Sequence, residues 1–389
     1  MEKLQKQLIQ LKTLTELASL INSSFDQAEI RERAIEATTR VLNAEAASLL
    51  LLDEATGELY FDVATGEKGG RVKQIRLKKG VGIAGWVAEH GTPLVIHDAQ
   101  SDPRFFKTAD KFSGFVTRNI ICVPLKTKAR TIGVLEGINK KDGRFDDSDL
   151  ELTETLANYI AVAIENARLY SELKDTFYST AETLSETIEL RDPCTGGHTK
   201  RVKHYSLIIG RYLGLSKAEL ETVELAAILH DIGKIGIRDD ILLKKGRLTE
   251  DEMQHMRMHS IYGAELLKSI KQLKDIVPVV RNHHERYDGA GYPDGLSGED
   301  ISPMARILTV ADSFDAMTTH RPYKKSISTE AALEQLRQYA GTQFDPKVVE
   351  AFLQAFADGA VYPHEDGAPS PSTLSTLPAP ESEERDLTS

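Results

Sequence analysis

Ten positions between Leu156 and Ile188 constrain this chain more than any other stretch. Leu156, Ile160, Ala163, Ala167, Tyr170, Lys174, Phe177, Ala181, Leu184 and Ile188 follow one another in steps of four and three; nine of the ten are apolar, and no Gly or Pro interrupts them. Apolar residues at that spacing fall on one stripe of a helix, and the run predicts more than four uninterrupted heptads. Two arrangements satisfy such a stripe: a coiled-coil seam between two copies, with Lys174 fixing the register, or a long amphipathic helix packed on its own domain. Because the stretch joins two halves of different texture, we read it as a parallel, dimeric connecting helix over 156–189.

The half before it, 22–155, has α+β texture. Ser48-Leu49-Leu50-Leu51-Leu52 is a short apolar run closed by Asp53-Glu54-Ala55-Thr56-Gly57, a strand followed by a hairpin turn. Ile120 to Leu125 and Thr131 to Glu136 predict two further strands joined by a polar turn. Ahead of this half, Leu4, Leu8, Leu11, Leu14, Leu17 and Ile21 lie three or four apart, which predicts an N-terminal helix over 1–21. The half that follows, 190–362, reads as nearly all helical: Val202, Tyr205, Ile208, Ile209, Tyr212 and Leu213 form an apolar face that Gly214 ends. From 363 to 389 the chain is rich in Pro, Ser, Thr and Glu and is expected to be a disordered tail.

A length of 389 residues suits two domains with connecting segments. Lys and Arg number 48 against 59 Asp and Glu, a formal charge of −11, which disfavours a nucleic-acid polymer or an anionic membrane as partner. No apolar run approaches the length of a membrane span, and the polar start Met1-Glu2-Lys3 is unlike a secretory signal. The two cysteines, Cys122 and Cys194, are far apart and form no CxxC pattern. These features together predict a cytoplasmic protein.

The chemistry is concentrated in the helical half. His283-His284-Glu285-Arg286-Tyr287-Asp288-Gly289-Ala290-Gly291-Tyr292-Pro293 sets two adjacent imidazoles before a turn-forming glycine run. Paired imidazoles rarely serve packing, since each polar ring needs a partner once desolvated. Upstream lies His230-Asp231-Ile232-Gly233-Lys234, and downstream lies Ala311-Asp312. Histidines, carboxylates and a lysine are the components of a multi-metal phosphohydrolase. In these motifs the chain resembles the HD-GYP phosphodiesterases, which cleave bacterial cyclic di-GMP and are named for the two stretches found here as His230-Asp231 and Gly291-Tyr292-Pro293.

The resemblance implies an all-α HD-type metallophosphohydrolase domain with metal ligands at His198, His230, Asp231, His259, His283, His284 and Asp312. Asp231 is the candidate to bridge two ions, since a carboxylate offers an oxygen to each. Imidazole and carboxylate without thiolate suit iron or manganese better than a soft-metal site; zinc stays open, because geometry is not written in sequence. Two such ions activate a shared hydroxide for in-line attack on phosphorus. Catalytic roles fall on Asp231 and Lys234, and phosphate binding on Arg321 and Lys324. Two departures from the family pattern stand out. Cys194 in Asp192-Pro193-Cys194-Thr195-Gly196-Gly197-His198 replaces the usual Tyr, where some relatives carry a Glu tied to a third ion, so two divalent ions are expected. Arg238 stands where Pro is common and is expected to alter only a loop.

The α+β half resembles a GAF domain, a small-molecule sensor fold, in Gly80-Val81-Gly82-Ile83-Ala84-Gly85-Trp86-Val87 and in Asp98 to Phe105. Asn139-Lys140, Phe145 and Asp149 approximate a motif of cyclic-nucleotide-binding GAF domains, with Leu150 at its final acidic position; the same residues also suit a structural clasp. Cys122, inside an apolar run, reads as a buried core residue. The leading expectation is a cyclic di-GMP phosphodiesterase, giving pGpG, GMP or both, regulated by an unknown small-molecule ligand of the GAF half. The alternatives are hydrolysis of another 3′,3′-cyclic dinucleotide, or a slow receptor that signals to protein partners through Gly291-Tyr292-Pro293.

Overall fold

The computed structural model describes residues 24, 26–64, 75–128, 130–191, 197–319 and 326–361. The helix expected over 1–21 and the tail expected over 363–389 lie outside these residues, as do Cys194, Arg321 and Lys324. The chain divides into two compact units, 1–175 and 176–389.

The first unit is built on a six-stranded antiparallel sheet of order β3-β2-β1-β6-β5-β4. Its strands are β1 (Ala44–Leu52), β2 (Glu58–Ala64), β3 (Arg76–Lys78), β4 (Leu94–Ile96), β5 (Ile120–Lys126) and β6 (Thr131–Lys140). Helix α1 (Gln27–Leu42) starts where the Asp26 carboxylate accepts from the amides of Ala28 and Glu29, at 2.9 and 3.2 Å. It stops at Asn43, which takes the left-handed conformation with φ 49°. The apolar run in β1 has no polar alternation because both sheet faces are covered. Ala47, Leu49 and Leu51 pack with α1, while Leu50 packs with Ile83, Ala84 and Val87 of α2 (Gly82–His90). A short helix, α3 (Lys107–Ser113), precedes β5.

The Asn139-Lys140…Asp149 motif is a clasp. Asn139, at φ 57°, accepts from the Arg118 amide at 2.7 Å and donates to Glu45 and to the Val116 carbonyl, each at 2.9 Å. Lys140 is ion-paired with Asp149, which is buried. These contacts fasten the end of β6 to the start of the next helix.

Helix α4 (Asp147–Glu189) runs for 43 residues and contains the heptad stripe. Much of the stripe expected as a coiled-coil seam is buried within the chain itself, while its Tyr170 and Leu184 are exposed. Leu156, Ile160, Ala163 and Ala167 are buried in the core of the first unit, beside Leu49 and Ile121. Phe177 and Ala181 pack in the core of the second. Steps of four and three mark any single apolar face, and here the partners are the protein's own strands and helices. Tyr159, Val162, Leu169 and Leu173, on another face of α4, are exposed. With the exposed Asn166, the series 159, 162, 166, 169 and 173 makes a second stripe of the same spacing on a different face.

The second unit is helical, with α5 (His198–Tyr212), α6 (Lys217–Leu229), α7 (Asp239–Leu242), α8 (Glu250–Lys268), α9 (Val277–Asn282), α10 (Pro303–Thr318), α11 (Thr329–Gln338) and α12 (Pro346–Ala357). Reciprocal capping boxes, Ser216 with Glu219 and Thr249 with Glu252, begin α6 and α8. Its core centres on Tyr205, Phe314 and Phe352, whose rings meet edge to face at 5.0–5.9 Å between centroids. Arg238, the departure noted in sequence, caps α7 and pairs with Asp240 at the surface. No helix among the described residues is long and apolar enough to cross a membrane.

Candidate metal centre

Helix ends bring the candidate ligands together. His198 opens α5 after Gly197, whose φ of 71° favours glycine. His230 ends α6, and Asp231 begins a 3-10 turn, Ile232–Gly236. His259 lies within α8, His283 ends α9 with His284 next, and Asp312 projects from α10. The 3-10 turn presses directly on α8. A Cβ at Gly233 would stand 1.9 Å from the His259 carbonyl oxygen and 2.4 Å from the Gly263 nitrogen, so only glycine permits this approach.

Two donor sets result. In one, His198 Nε2 is 3.3 Å from His230 Nε2 and 3.4 Å from Asp312 Oδ1, and His230 Nε2 is 3.4 Å from Asp231 Oδ2. In the other, His259 Nε2 is 3.4 Å from His283 Nε2, 3.1 Å from His284 Nε2 and 3.5 Å from Asp231 Oδ1. Asp231 thus turns one oxygen toward each set. The structure brings His198, His230, Asp231, His259, His283, His284 and Asp312 into one cluster.

Hydrogen bonds behind the rings define what those nitrogens do. The Nδ1 atoms of His230, His259 and His283 face the carbonyls of Ala227, Met256 and Val280, three residues earlier in each case, at 2.9, 2.7 and 2.7 Å. A carbonyl only accepts, so Nδ1 carries the proton and Nε2 of each neutral ring presents a lone pair. Between His259 and His283 two such lone pairs face each other at 3.4 Å and repel one another unless a cation lies between them. Two donors each about 2.1 Å from one ion stand about 3.0–3.4 Å apart at octahedral to tetrahedral angles, and the observed separations match that range. The residues therefore fit a metal.

The electrostatics agree. Burial, reinforced by neighbouring imidazoles, holds His283 and His284 well below the ordinary imidazole pKa. Burial also lowers His259, against the pull of Asp231. For Asp231, burial alone would favour the neutral acid; Lys234, then His230, His259 and His198, override it and hold the carboxylate well below its usual range. The Lys234 ammonium lies 2.7 Å from Asp231 Oδ2.

Sequence reasoning missed Asp315. Its Oδ2 lies 2.7 Å from His198 Nδ1, and Arg201 braces the same carboxylate. Burial opposes a proton on His198, but Asp315, Asp312 and Asp231 outweigh it and raise its pKa. A carboxylate behind a ligating imidazole orients the ring and strengthens it as a donor. The available signal was spacing: Asp315 follows Asp312 by three on α10, and Arg201 follows His198 by three on α5.

The loop after His284 folds back on itself. The Glu285 carboxylate accepts from the amides of Asp294 and Gly295 at 2.6 and 3.0 Å, and a Cβ at Gly291 would stand 2.3 Å from the Arg286 nitrogen. This return sets the Tyr292 ring against His284, 4.9 Å between centroids, with the Arg257 guanidinium 5.2 Å from the Tyr292 ring.

Comparison with known proteins assigns both units. An HD domain family model matches residues 182–348, and a GAF domain family model matches residues 26–164. The chain is a GAF–HD protein. An HD domain implies divalent-metal binding, and the two His/Asp donor sets lie within the matched residues. Among its relatives is the cyclic di-GMP phosphodiesterase response regulator RpfG of Xanthomonas campestris pv. campestris, 43% identical over 201 residues, covering 51% of this chain and 53% of that protein. A cyclic di-GMP phosphodiesterase of Thermotoga maritima is 41% identical over 187 residues, covering 48% of this chain and 51% of that protein. A 3′3′-cGAMP-specific phosphodiesterase 2 of Vibrio cholerae is 36% identical over 208 residues, covering 53% of this chain and 40% of that protein. The GAF–HD chain spans about half the length of the curated relatives it matches.

Proposed function

We propose that this protein hydrolyses the phosphodiester bonds of cyclic di-GMP, to pGpG, GMP or both, under the control of its GAF domain. The observation that carries the reading is the pair of converging donor sets that share Asp231. His198, His230, Asp231 and Asp312 would hold one divalent ion, and His259, His283, His284 and Asp231 the other; with nitrogen and oxygen donors alone, iron or manganese suits both. Such ions make a hydroxide available at neutral pH and neutralise charge on a phosphate.

The chain supplies the remaining parts. The Ala227, Met256 and Val280 carbonyls fix three imidazoles as Nε2 donors before any ligand arrives. Asp315 orients His198. Lys234 sets an ammonium beside Asp231, where it meets the charge of a phosphate at the same carboxylate. Arg321 and Lys324 are assigned to substrate phosphate, which their guanidinium and ammonium groups complement. Tyr292 packs on His284 and brings the Gly291-Tyr292-Pro293 loop against the donors.

The likeness to a relative named for 3′3′-cGAMP favours a second reading, in which a mixed cyclic dinucleotide is the preferred ring. The deciding experiment is turnover of radiolabelled cyclic di-GMP by protein loaded with iron or manganese under reducing, anaerobic conditions, with 3′3′-cGAMP as competitor. Metal-dependent turnover is expected, and the competitor ranks the two rings. A protein that holds both ions and cleaves neither ring overturns the enzymatic reading and leaves a receptor.

The same reading includes a homodimer, with its contact on the Tyr159, Val162, Asn166, Leu169 and Leu173 stripe of α4. That stripe has coiled-coil spacing, and Asn166 is the kind of polar residue that fixes register.

A further inference from the structure

The first turn of α5 is capped from another helix. Gly197, the residue before His198, has no side chain to accept from the free amides that open a helix. The cap comes instead from the last residue of α4: Glu189 Oε1 accepts from the Thr199 amide at 2.7 Å. A carboxylate at a helix N-terminus gains from that charge-assisted bond and from the aligned peptide dipoles. Three more contacts join the same segments. Ser185 and Thr199, both buried, share a hydroxyl hydrogen bond of 3.2 Å. Glu186 is paired with Lys200 at 2.7 Å, and Glu182 with Lys203. Residues 182, 185, 186 and 189 lie on one face of α4, at the three- and four-residue spacing of successive turns.

These contacts converge on a candidate ligand. His198 is the first residue of α5 and Thr199 the next, so the turn that Glu189 holds is the turn that aims the His198 ring. The imidazoles of the other donor set, His259, His283 and His284, are carried by α8 and the end of α9. Exposure separates the contacts by weight. The Glu186–Lys200 pair is open to solvent, its side chains 48% and 66% exposed, and an ion pair there adds little. Thr199 is only 4% exposed, so water replaces a lost acceptor poorly. We propose that Glu189 is a positioning residue for His198, and that a wound last turn of α4 is a condition for metal at the His198 donor set. A change that unwinds or turns that end of α4 would empty one donor set and spare the other. The proposal rests on the reading of the two donor sets as metal sites and goes beyond it in placing one of them under the control of α4.

The test counts and ranks bound ions without turnover. Full-length protein loaded with manganese under anaerobic, reducing conditions is titrated against a chelating dye. Glu189→Ala is expected to weaken one of the two ions by about tenfold and to leave the other unchanged. Glu189→Gln, whose amide oxygen still accepts from the Thr199 amide, is expected to recover most of that loss. Glu186→Ala, at the exposed pair, is expected to bind both ions as the unaltered protein does. Selective loss separates positioning from damage, because a misfolded domain releases both ions. Two ions held by Glu189→Ala as tightly as by the unaltered protein overturn the proposal. So does loss of both ions together, or a Glu189→Gln protein no better than Glu189→Ala. Unaltered protein that takes up no ion overturns the metal reading and this proposal with it, a result distinct from two ions that both survive the substitution.

Discussion

The HD and GAF domains both bury charged or ionisable side chains, but they support them in opposite ways. In the HD domain four buried imidazoles are held from behind: His230, His259 and His283 by carbonyls three residues back, and His198 by Asp315, itself braced by Arg201. Their front faces are left as a convergent set of lone pairs. In the GAF domain Glu136 has no such backing, and its neighbour is a thiol. One site has the orientation of its donors built in; the other buries an acid beside a thiol. Removing a charge should therefore have opposite consequences in the two domains.

The largest effect is expected for Asp231→Ala. It removes the carboxylate whose oxygens face both donor sets and leaves Lys234 beside buried imidazoles. Bound metal and phosphodiesterase activity should fall together below detection while helical circular dichroism is retained. Turnover by a metal-depleted Asp231→Ala protein would refute the assignment.

In the GAF domain the same kind of loss should stabilise. Burial raises the Glu136 pKa from 4.5 to about 7, so between those values the folded state holds a proton that the unfolded state has released. Stability then falls as pH rises from 4.5 to 7 and levels off above, a loss of about 3 kcal/mol. Glu136→Gln should remove that slope and raise the GAF-domain melting temperature at pH 8. An unchanged pH slope would show that the carboxyl has a partner in the fold.

Asp315→Asn tests the supports of the HD site. It weakens the brace on His198 without touching a candidate ligand, and it should reduce metal affinity by about 10–100-fold, read by competition with a chelating dye. Equal affinity would reduce Asp315 to a core ion pair with Arg201. A smaller and separate effect is expected from Leu173→Glu on the exposed stripe of α4, which should lower the solution mass toward that of a monomer. If mass falls instead with changes at Tyr170 or Leu184, the contact follows the stripe first read from sequence.

The clustering of the candidate ligands was legible because it is spelled in short words. His230-Asp231 and His283-His284 each place two donors at a helix end, and Asp312 closes an apolar helical run. The two-domain division and the α+β and helical textures were equally visible, since burial on two sheet faces or on one helix face leaves different apolar periods. Asp315 was not legible, because an Asp on a helix carries no mark of the ring it will meet 117 residues earlier in the chain. Glu136 was hidden for a related reason. Its neighbours Ser48 and Cys122 are set by strand register, and register between strands far apart in sequence is a property of the folded sheet. The stripe on α4 was seen but its partner was not legible, since the pattern that buries a helix against its own domain is the pattern that buries it against another copy.

Gly233 has a bearing on how freely this site can vary. The atoms that a methyl group there would meet are backbone atoms of His259 and Gly263, which no change of rotamer can move aside. Every other side chain is larger than that methyl group, so no smaller compromise exists: an insertion at 233 has to push the Asp231 turn away from the His259 helix. In a saturation library selected for activity, residue 233 should return a single amino acid, even where several of the ligands around it accept an exchange of one nitrogen or oxygen donor for another.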